Sequence, residues 1–178
     1  MGCLTKSTNE IPRGLADTTS YITIDNSFIR SEVLTASWYL EGQMMKIFNQ
    51  NLRFSTRGQI DFVDLTEKVQ NIVAKSNVKN GLAHVFAPHA TGILVLTEYE
   101  PSLMSDLKET LETLIPRRAS YRHPSNAHSH LRSVFLCPDR TLPVVDGRVV
   151  LGTWQSLVFV ETDVYPRQRT IVVQVLGE

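Results

Sequence analysis

The sequence has few cysteines, no excess of either charge and no long apolar run. Its two cysteines, Cys3 and Cys137, lie far apart in the 178 residues, which excludes a thiolate zinc finger, a CxxC redox motif and a disulfide-stapled fold. Lys plus Arg number 18, as do Asp plus Glu, so bulk charge does not predict a nucleic-acid partner. No apolar run approaches the roughly 20 residues of a membrane helix. We therefore expect no membrane partner and a reducing cytoplasmic compartment.

The composition changes near residue 43, which divides the chain into an extension and one domain. Residues 1–43 include a polar stretch with no useful periodicity, which predicts a partly flexible N-terminal extension. The chain as a whole is 42% hydrophobic, which is enough to bury a core. Residues 44–178 are therefore predicted to form a compact single domain.

Two segments of this domain have helical periodicity and several others are strand-like. Asp64 and Glu67 have capping-box spacing before a first helix, which Asn80-Gly81 ends. A second helix follows Pro101 and ends at Pro116. The leucines predicted to share its apolar face are Leu103, Leu107, Leu111 and Leu114.

Short apolar segments between turn residues predict an antiparallel sheet. The predicted strands are a first one closed by Arg57-Gly58, then residues 82–86, 93–96, 128–136, 142–145, 148–151, 153–161 and 169–176. Asp146-Gly147 between β-branched pairs predicts a hairpin. Because no regular βαβ alternation is present, we predict an α+β fold with a largely antiparallel sheet and two main helices.

Three of the five histidines fall within eight residues and are the first candidates for a site. These are His123, His128 and His130, while His89 lies elsewhere. In the strand predicted here, residues two apart point to one face, so His128 and His130 would present their imidazoles together. Neutral imidazole binds Zn, Fe, Ni or Cu, so the trio predicts a divalent metal site. A polar strand face is the alternative. His84, among apolar neighbours, is typical of a core histidine.

Paired carboxylates and paired arginines are the next candidates. Glu98 and Glu100 lie at a strand end and Asp106 lies in the second helix, where they could act as acids or bases or bind metal. Solvated surface charges are the alternative. Arg167 and Arg169 would share one face, which suits bidentate capture of phosphate or carboxylate. For these arginines the alternative is protection of a sheet edge.

The common cofactor and nucleophile motifs are absent from the sequence. Without a Walker or dinucleotide-binding pattern we expect no nucleotide cofactor, and there is no GxSxG elbow. Cys137 is a candidate nucleophile only by default, because Pro138-Asp139-Arg140 beside it is typical of an ordinary turn.

Several of these residues belong to strings that occur together in one family. From Met44 to Gly177 the strings are Asp64-Leu65-Thr66, His89-x-Thr91, Glu98-x-Glu100-Pro101, Asp106, Tyr121-x-His123, Asn126-Ala127-His128-Ser129-His130-Leu131, Leu151-Gly152-Thr153-Trp154-Gln155, Glu161-x-Asp163 and Pro166-Arg167-x-Arg169. On these strings the chain resembles the YjbQ family, small proteins credited with a secondary thiamine-phosphate synthase activity.

The resemblance implies a subunit with a twisted antiparallel sheet that assembles as a homotrimer. It also implies a polar pocket for a phosphorylated small molecule near the subunit boundary. The implied catalytic residues are His89, Glu98, Asp106, His128 and His130. The implied phosphate-binding residues are Thr91, Asn126, Arg167 and Arg169.

Two functions are compatible with these residues. The first, whose reaction is implied by the resemblance, is an enzyme that joins a pyrimidine diphosphate to a thiazole phosphate and releases pyrophosphate. Its arginines would hold phosphate, and its histidines would bind a metal or donate protons. The second is a non-catalytic trimeric module that binds a metal ion or an anionic phosphorylated metabolite. A weaker third idea is that the polar residues only hold subunits together.

Overall fold

The computed structural model describes residues 45–58 and 60–178. The extension predicted over residues 1–43 lies outside the described residues. In the described part the elements, in chain order, are β1 (Lys46–Thr56), β2 (Asp61–Asp64), α1 (Thr66–Ser76), β3 (Gly81–Phe86), β4 (Gly92–Thr97), α2 (Pro101–Leu114), α3 (Ala127–Phe135), β5 (Asp139–Val145), β6 (Arg148–Val149), β7 (Ser156–Glu161) and β8 (Arg167–Gly177). None of these helices is long and apolar enough to cross a membrane.

The strands form two antiparallel sheets. The larger sheet has the order β1-β8-β3-β5-β6 and the smaller one the order β2-β7-β4. The predicted α+β fold with an antiparallel sheet is therefore confirmed. The hairpin between β5 and β6 is also confirmed. Asp146 and Gly147 have φ values of 51° and 74°, and a two-residue type I′ turn requires positive φ at both positions.

The smaller sheet lies between two apolar cores. Phe159 of β7 packs with Val69 and Val73 of α1 and with the larger sheet. Its neighbour Val160 points the other way and packs with Leu111 of α2. Alternate residues of a strand point to opposite faces, so β7 is buried on both sides and its end is held firmly.

The first two helices are present where they were predicted, but their ends and faces differ. The α1 N-cap is Leu65, not Asp64, whose carboxylate accepts a hydrogen bond from the Thr66 amide at 2.8 Å. The helix ends at Asn77 in the left-handed conformation, with φ 56°, before the predicted Asn80-Gly81 stop. On α2 the buried residues are Met104 and Leu111. The predicted four-leucine face is wrong at its two ends, where Leu103 and Leu114 are exposed.

The strand predicted over residues 128–136 is wrong, because the segment forms the third helix, α3. Its buried side is polar and includes His128, Arg132 and Ser133, whereas Val134 and Phe135 are exposed. Leu131, Val134 and Phe135 have helical spacing, but this apolar stripe is exposed and the polar side of the helix is buried, the reverse of the usual arrangement. In a helix residues two apart are about 200° apart around the axis, so His128 and His130 do not share a face.

Candidate functional site

The loop between β7 and β8 brings buried acids and arginines together at one end of the smaller sheet. In the register, Gly92 at the start of β4 lies opposite Glu161 at the end of β7, and Thr56 at the end of β1 lies opposite Arg167. The ends of β1 and β7 and the starts of β4 and β8 therefore meet here. We call the group formed by Thr56, His89, Thr91, Glu161, Asp163, Arg167 and Arg169 the polar cluster.

The centre of the polar cluster is a buried ion pair between Glu161 and Arg169. Both Nε and Nη2 of Arg169 donate to the Glu161 carboxylate, the Nε bond being 2.7 Å long. Nη2 also donates to the Thr91 hydroxyl at 3.0 Å and the Thr91 carbonyl at 3.1 Å. Glu161 accepts further bonds from the Thr56 hydroxyl at 2.8 Å and the Asp163 amide at 2.9 Å. A buried pair of charges needs this degree of hydrogen bonding to offset its desolvation.

A second ion pair, between Asp163 and Arg167, lies nearer to solvent. Arg167 donates from Nε at 2.9 Å and from Nη2 at 2.7 Å, and its side chain is 45% exposed while that of Asp163 is 4% exposed. Burial acts to raise the pKa of Asp163, but hydrogen bonds from Arg167 and the Val164 amide outweigh burial and hold this pKa below its ordinary value. Asp163 is therefore a carboxylate at neutral pH, and it orients Arg167.

His89 is fixed against β8 beside Arg169. Its Nε2 lies 2.8 Å from the Thr170 carbonyl oxygen and 3.1 Å from the Thr170 amide nitrogen. Burial, and then the positive charge of Arg169, lower the pKa of His89. The imidazole is therefore neutral at pH 7, and its role within the described residues is to position β8.

His128 faces this end of the sheet from α3. Its side chain is 2% exposed, and among the described residues Nε2 of His128 and Oγ of Ser129 are buried without a hydrogen-bond partner. Burial, followed by the charges of Arg132 and Arg117, lowers the pKa of His128, and the nearby charge of Asp163 acts in the opposite direction. His128 is thus a buried neutral imidazole with a free ring nitrogen.

Hydrogen bonds hold α3 in this inverted orientation. Arg132 donates to the Ile115 carbonyl at 3.1 and 2.6 Å and forms an ion pair with Glu112 at 3.0 Å. The Thr162 hydroxyl donates to the Ser129 carbonyl at 3.0 Å and lies 3.0 Å from the Ser133 hydroxyl. These contacts compensate the polar groups that α3 buries, except for Nε2 of His128 and Oγ of Ser129 among the described residues.

Several predicted site residues lie away from the polar cluster. Thr91 precedes β4 and Glu98 follows it, so the strand alone separates them by about 20 Å. Glu100 caps α2 by accepting a 2.9 Å hydrogen bond from the Leu103 amide, and Asp106 is exposed further along the same helix. Asn126 is the α3 N-cap residue and makes no side-chain capping bond. A single chain therefore does not bring Glu98 and Asp106 together with the arginines, and their role in the site stays a prediction.

The three histidines predicted to bind a metal are also separated. The rings of His123 and His130 lie 5.2 Å apart, edge to face, while His128 points into the protein. In residues 45–58 and 60–178 no group of three or more His, Cys, Asp or Glu side chains could hold a metal ion. The residues therefore do not fit a three-histidine site in one subunit, and metal binding stays a prediction.

Two further predictions concern isolated residues. His84 is not a core histidine: it is half-buried on β3, with Nδ1 3.0 Å from the Thr141 hydroxyl of β5. Cys137 is an exposed free cysteine in the turn after α3, with φ 51°. Neither residue contacts the polar cluster.

The main site residues without a predicted role are Glu161, Asp163 and Arg132. The sequence contains a signal for the first two, because the acids and arginines are spaced symmetrically about Tyr165. Glu161 and Arg169 each lie four residues from it, and Asp163 and Arg167 each lie two residues from it. A chain that reverses at Tyr165 brings each acid opposite its arginine. No comparable signal marks Arg132, because its partners on α2 are set by tertiary packing.

Comparison with known proteins agrees with this architecture. The family model described as UPF0047 protein YjbQ-like matches residues 50–178. The chain is 39% identical over 140 residues to a UPF0047 protein of Methanothermobacter thermautotrophicus, covering 77% of this chain and 97% of that one. It is 36% identical over 128 residues to one of Archaeoglobus fulgidus, covering 70% of this chain and 98% of that one.

Solved structures show the same relationship. A YbjQ-like protein of unknown function from Sulfolobus solfataricus superposes with a TM-score of 0.73 at 38% identity, covering 75% of this chain and 99% of that one. A hypothetical protein from Aeropyrum pernix gives a TM-score of 0.67 at 36% identity, covering 72% of this chain and 99% of that one. Because these matches cover 70–77% of this chain and 97–99% of the relatives, this chain belongs to the YjbQ (UPF0047) family.

Proposed function

We propose that this chain is a small-molecule enzyme that acts on a phosphorylated substrate between the polar cluster and His128, which faces it from α3. As the family resemblance implies, a secondary thiamine-phosphate synthase activity is the reaction to test first. The observation that carries the proposal is the pair of buried polar atoms, Nε2 of His128 and Oγ of Ser129, that lack a partner in the described residues. Buried polar atoms are normally hydrogen-bonded, and exceptions concentrate where a ligand, water or ion completes the network.

The phosphate group would bind at Arg167. Its side chain is 45% exposed, and none of the described residues accepts a hydrogen bond from its Nη1. A guanidinium held by Asp163 on one side can still present this free edge to a phosphate. Arg169 is already fully engaged with Glu161 and Thr91, so we assign it to positioning β8 rather than to substrate contact.

In the proposed reaction the carbon–oxygen bond between the pyrimidine methylene and pyrophosphate breaks, and a carbon–nitrogen bond to the thiazole ring forms. Pyrophosphate leaves with the bonding electron pair, and Arg167 stabilises the negative charge that develops on it. In the tautomer with Nε2 protonated, neutral His128 donates a hydrogen bond to the departing oxygen. Each arginine of the cluster is paired with a carboxylate, so the attraction for phosphate is modest. Slow, secondary turnover is consistent with that pairing.

The homotrimer is part of the same proposal, and the exposed apolar side of α3 supports it. Val134 and Phe135 are 76% and 72% exposed. An apolar helix side of this kind is typical of an interface. In such an assembly Glu98 and Asp106 of one subunit could reach the site of another. The same surface also fits the alternative, a non-catalytic trimeric module that binds an anion.

The test is to measure pyrophosphate release and thiamine phosphate formation by the full chain from the two phosphorylated precursors. Arg167→Ala and His128→Asn should each lower turnover at least about tenfold, the loss expected for one charge-assisted contact or one hydrogen-bonding catalyst. Arg148→Ala, an exposed arginine of β6, is the matched control and should have no effect. Saturable binding of the precursors without turnover would contradict the proposed enzyme activity and favour the non-catalytic binding module.

The predicted metal binding is tested separately, by measuring the metal content of the protein. Chelator-washed wild-type protein and the His123→Ala/His130→Ala variant are compared for metal content after incubation with Zn²⁺. Near-stoichiometric metal that is lost in the variant would establish these two histidines as ligands. Absence of metal from both proteins would remove the metal from the proposal.

A further inference from the structure

The α2–α3 loop carries most of a locally basic segment in a chain of zero net charge. Between Glu112 and Asp139 the sequence has four arginines and three histidines but no Asp or Glu. Arg132 is paired with Glu112. For the other arginines, which are Arg117, Arg118 and Arg122, no described carboxylate lies within ion-pair distance, and all three are exposed. This loop therefore attracts anions although the bulk charge does not.

Arg122 lines a cleft whose walls include the side-chain rings of a tyrosine and two histidines. It encloses about 410 Å³ and is lined by Tyr121, Arg122, His123, Ala127, His130 and Leu131. This volume falls within the roughly 300–1,000 Å³ of small-molecule sites. The Tyr121 hydroxyl donates a 2.7 Å hydrogen bond to the Pro116 carbonyl, which holds the ring in place. The imidazoles of His123 and His130 form a second, edge-to-face wall.

The cleft is separate from the polar cluster. His130 lines the cleft, whereas His128, two residues away on α3, faces the sheet. A helix with its side chains is about 10–12 Å across, so α3 stands between the two places. A single small phosphate group cannot contact both Arg122 and Arg167.

The geometry points to a nucleoside phosphate as the ligand of this cleft. A planar base stacks on aromatic and imidazole rings, and Leu131 supplies an apolar contact beneath it. The exposed guanidinium of Arg122, which lines the cleft, suits a phosphate. The positive charge of the rest of the loop, to which exposed Arg117 and Arg118 contribute, favours a ligand with more than one phosphate. The class of ligand is thus a free nucleotide that carries two or more phosphates, bound at a site distinct from the proposed catalytic one.

The test measures binding of ATP, and separately of inorganic pyrophosphate, to the full chain by isothermal titration calorimetry at low and moderate salt. We expect saturable ATP binding that weakens with salt, with pyrophosphate at least tenfold weaker because it lacks the ring. Arg122→Ala and Tyr121→Ala should each weaken ATP binding about tenfold, the loss of one charge-assisted contact or one stacking platform. Arg148→Ala is the matched exposed control and should leave the affinity unchanged.

The remaining outcomes distinguish a failure of this nucleotide site from a failure of the proposed function. Arg167→Ala should leave ATP affinity unchanged; if it abolishes ATP binding while Arg122→Ala does not, the cleft assignment is overturned and the polar cluster is the nucleotide site. Equal affinity for pyrophosphate and ATP would contradict the proposed stacking of the base on the tyrosine and histidine rings of the cleft. Binding of a single-stranded oligonucleotide without binding of ATP would overturn the assignment to a free nucleotide.

Discussion

Glu161, the last residue of β7, and Arg169, within β8, form an ion pair in which the carboxylate is fully buried and the arginine side chain is 8% exposed. The pair joins the two sheets, because β7 belongs to the three-stranded sheet and β8 to the five-stranded one. Thr56 of β1 and Thr91 before β4 complete its hydrogen bonds. The end of the domain that carries the candidate site is therefore held together by charge.

Removal of one partner of this pair should be strongly destabilising. Arg169→Ala leaves the Glu161 carboxylate buried without a counter-charge, and we expect a loss of about 3–5 kcal/mol in the free energy of unfolding. Urea denaturation followed by circular dichroism measures the loss.

The double variant Arg169→Met/Glu161→Leu is the control for this prediction. Replacing both charges removes the buried unpaired group, so the double variant should be more stable than Arg169→Ala. If its loss of stability equals the sum of the losses measured for Arg169→Met and Glu161→Leu singly, the cost lies in packing and not in the unpaired charge.

A second prediction concerns Gly58, in the turn that packs under the β7–β8 loop. Gly58 has φ +80°, and a Cβ added there would lie 2.6 Å from the carbonyl carbon of Tyr165. Gly58→Ala should cost at least about 1–2 kcal/mol from the left-handed backbone alone, before the clash is counted.

Gly152→Ala serves as its matched control, since an added Cβ would meet only the flexible Gln155 side chain at 3.3 Å. Thermal unfolding of the two variants should show a clear drop in Tm for Gly58→Ala only. Equal drops would mean that Gly58 is not packed against Tyr165.

A third prediction concerns the pH dependence of stability. Burial and nearby arginines lower the pKa of both His89 and His128 from the ordinary 6.5, so at these sites the unfolded chain binds protons more tightly than the folded protein does. Stability should therefore be full above pH 6.5 and fall as the pH is lowered below it. The contribution of Asp163, whose pKa lies below the ordinary 3.8, is lost only in more acidic solution.

The variant His128→Asn checks the histidine origin of this effect. Between pH 7.5 and 5.5 its free energy of unfolding, from urea titrations, should fall less steeply than that of the wild type. Parallel pH profiles for the two proteins would show that His128 is not a buried neutral imidazole.

A fourth prediction tests the proposed assembly through the exposed side of α3. Val134→Lys/Phe135→Lys places two charges where an apolar interface is proposed, and light scattering should show a shift from trimer to monomer. Val150→Lys, at a residue that is 50% exposed after β6, is the matched control and should keep the wild-type mass. A wild-type protein that is already monomeric would contradict the proposed assembly.

The local sequence determined the elements that are stabilised mainly by the conformational preferences and spacing of their own residues. The β5–β6 turn follows from Asp146-Gly147, because few residue pairs accept positive φ at both positions. The α1 helix follows from Val69, Ile72 and Val73, which lie at helical spacing and are all buried. The motif strings likewise sufficed to identify the family, and the paired arginines and acids of the candidate site are visible in the same strings.

Tertiary structure alone decided the conformation of residues 127–135 and the composition of the site. This helix buries Arg132 because the Ile115 carbonyl and the Glu112 carboxylate lie opposite its guanidinium. Thr162 likewise donates to the buried Ser129 carbonyl, and all these partners come from outside the helix. A strand would have placed His128 and His130 together, whereas the helix sends one inward and the other to the cleft. The sequence determined which charged groups exist, and only long-range hydrogen bonding decided which of them could be buried together.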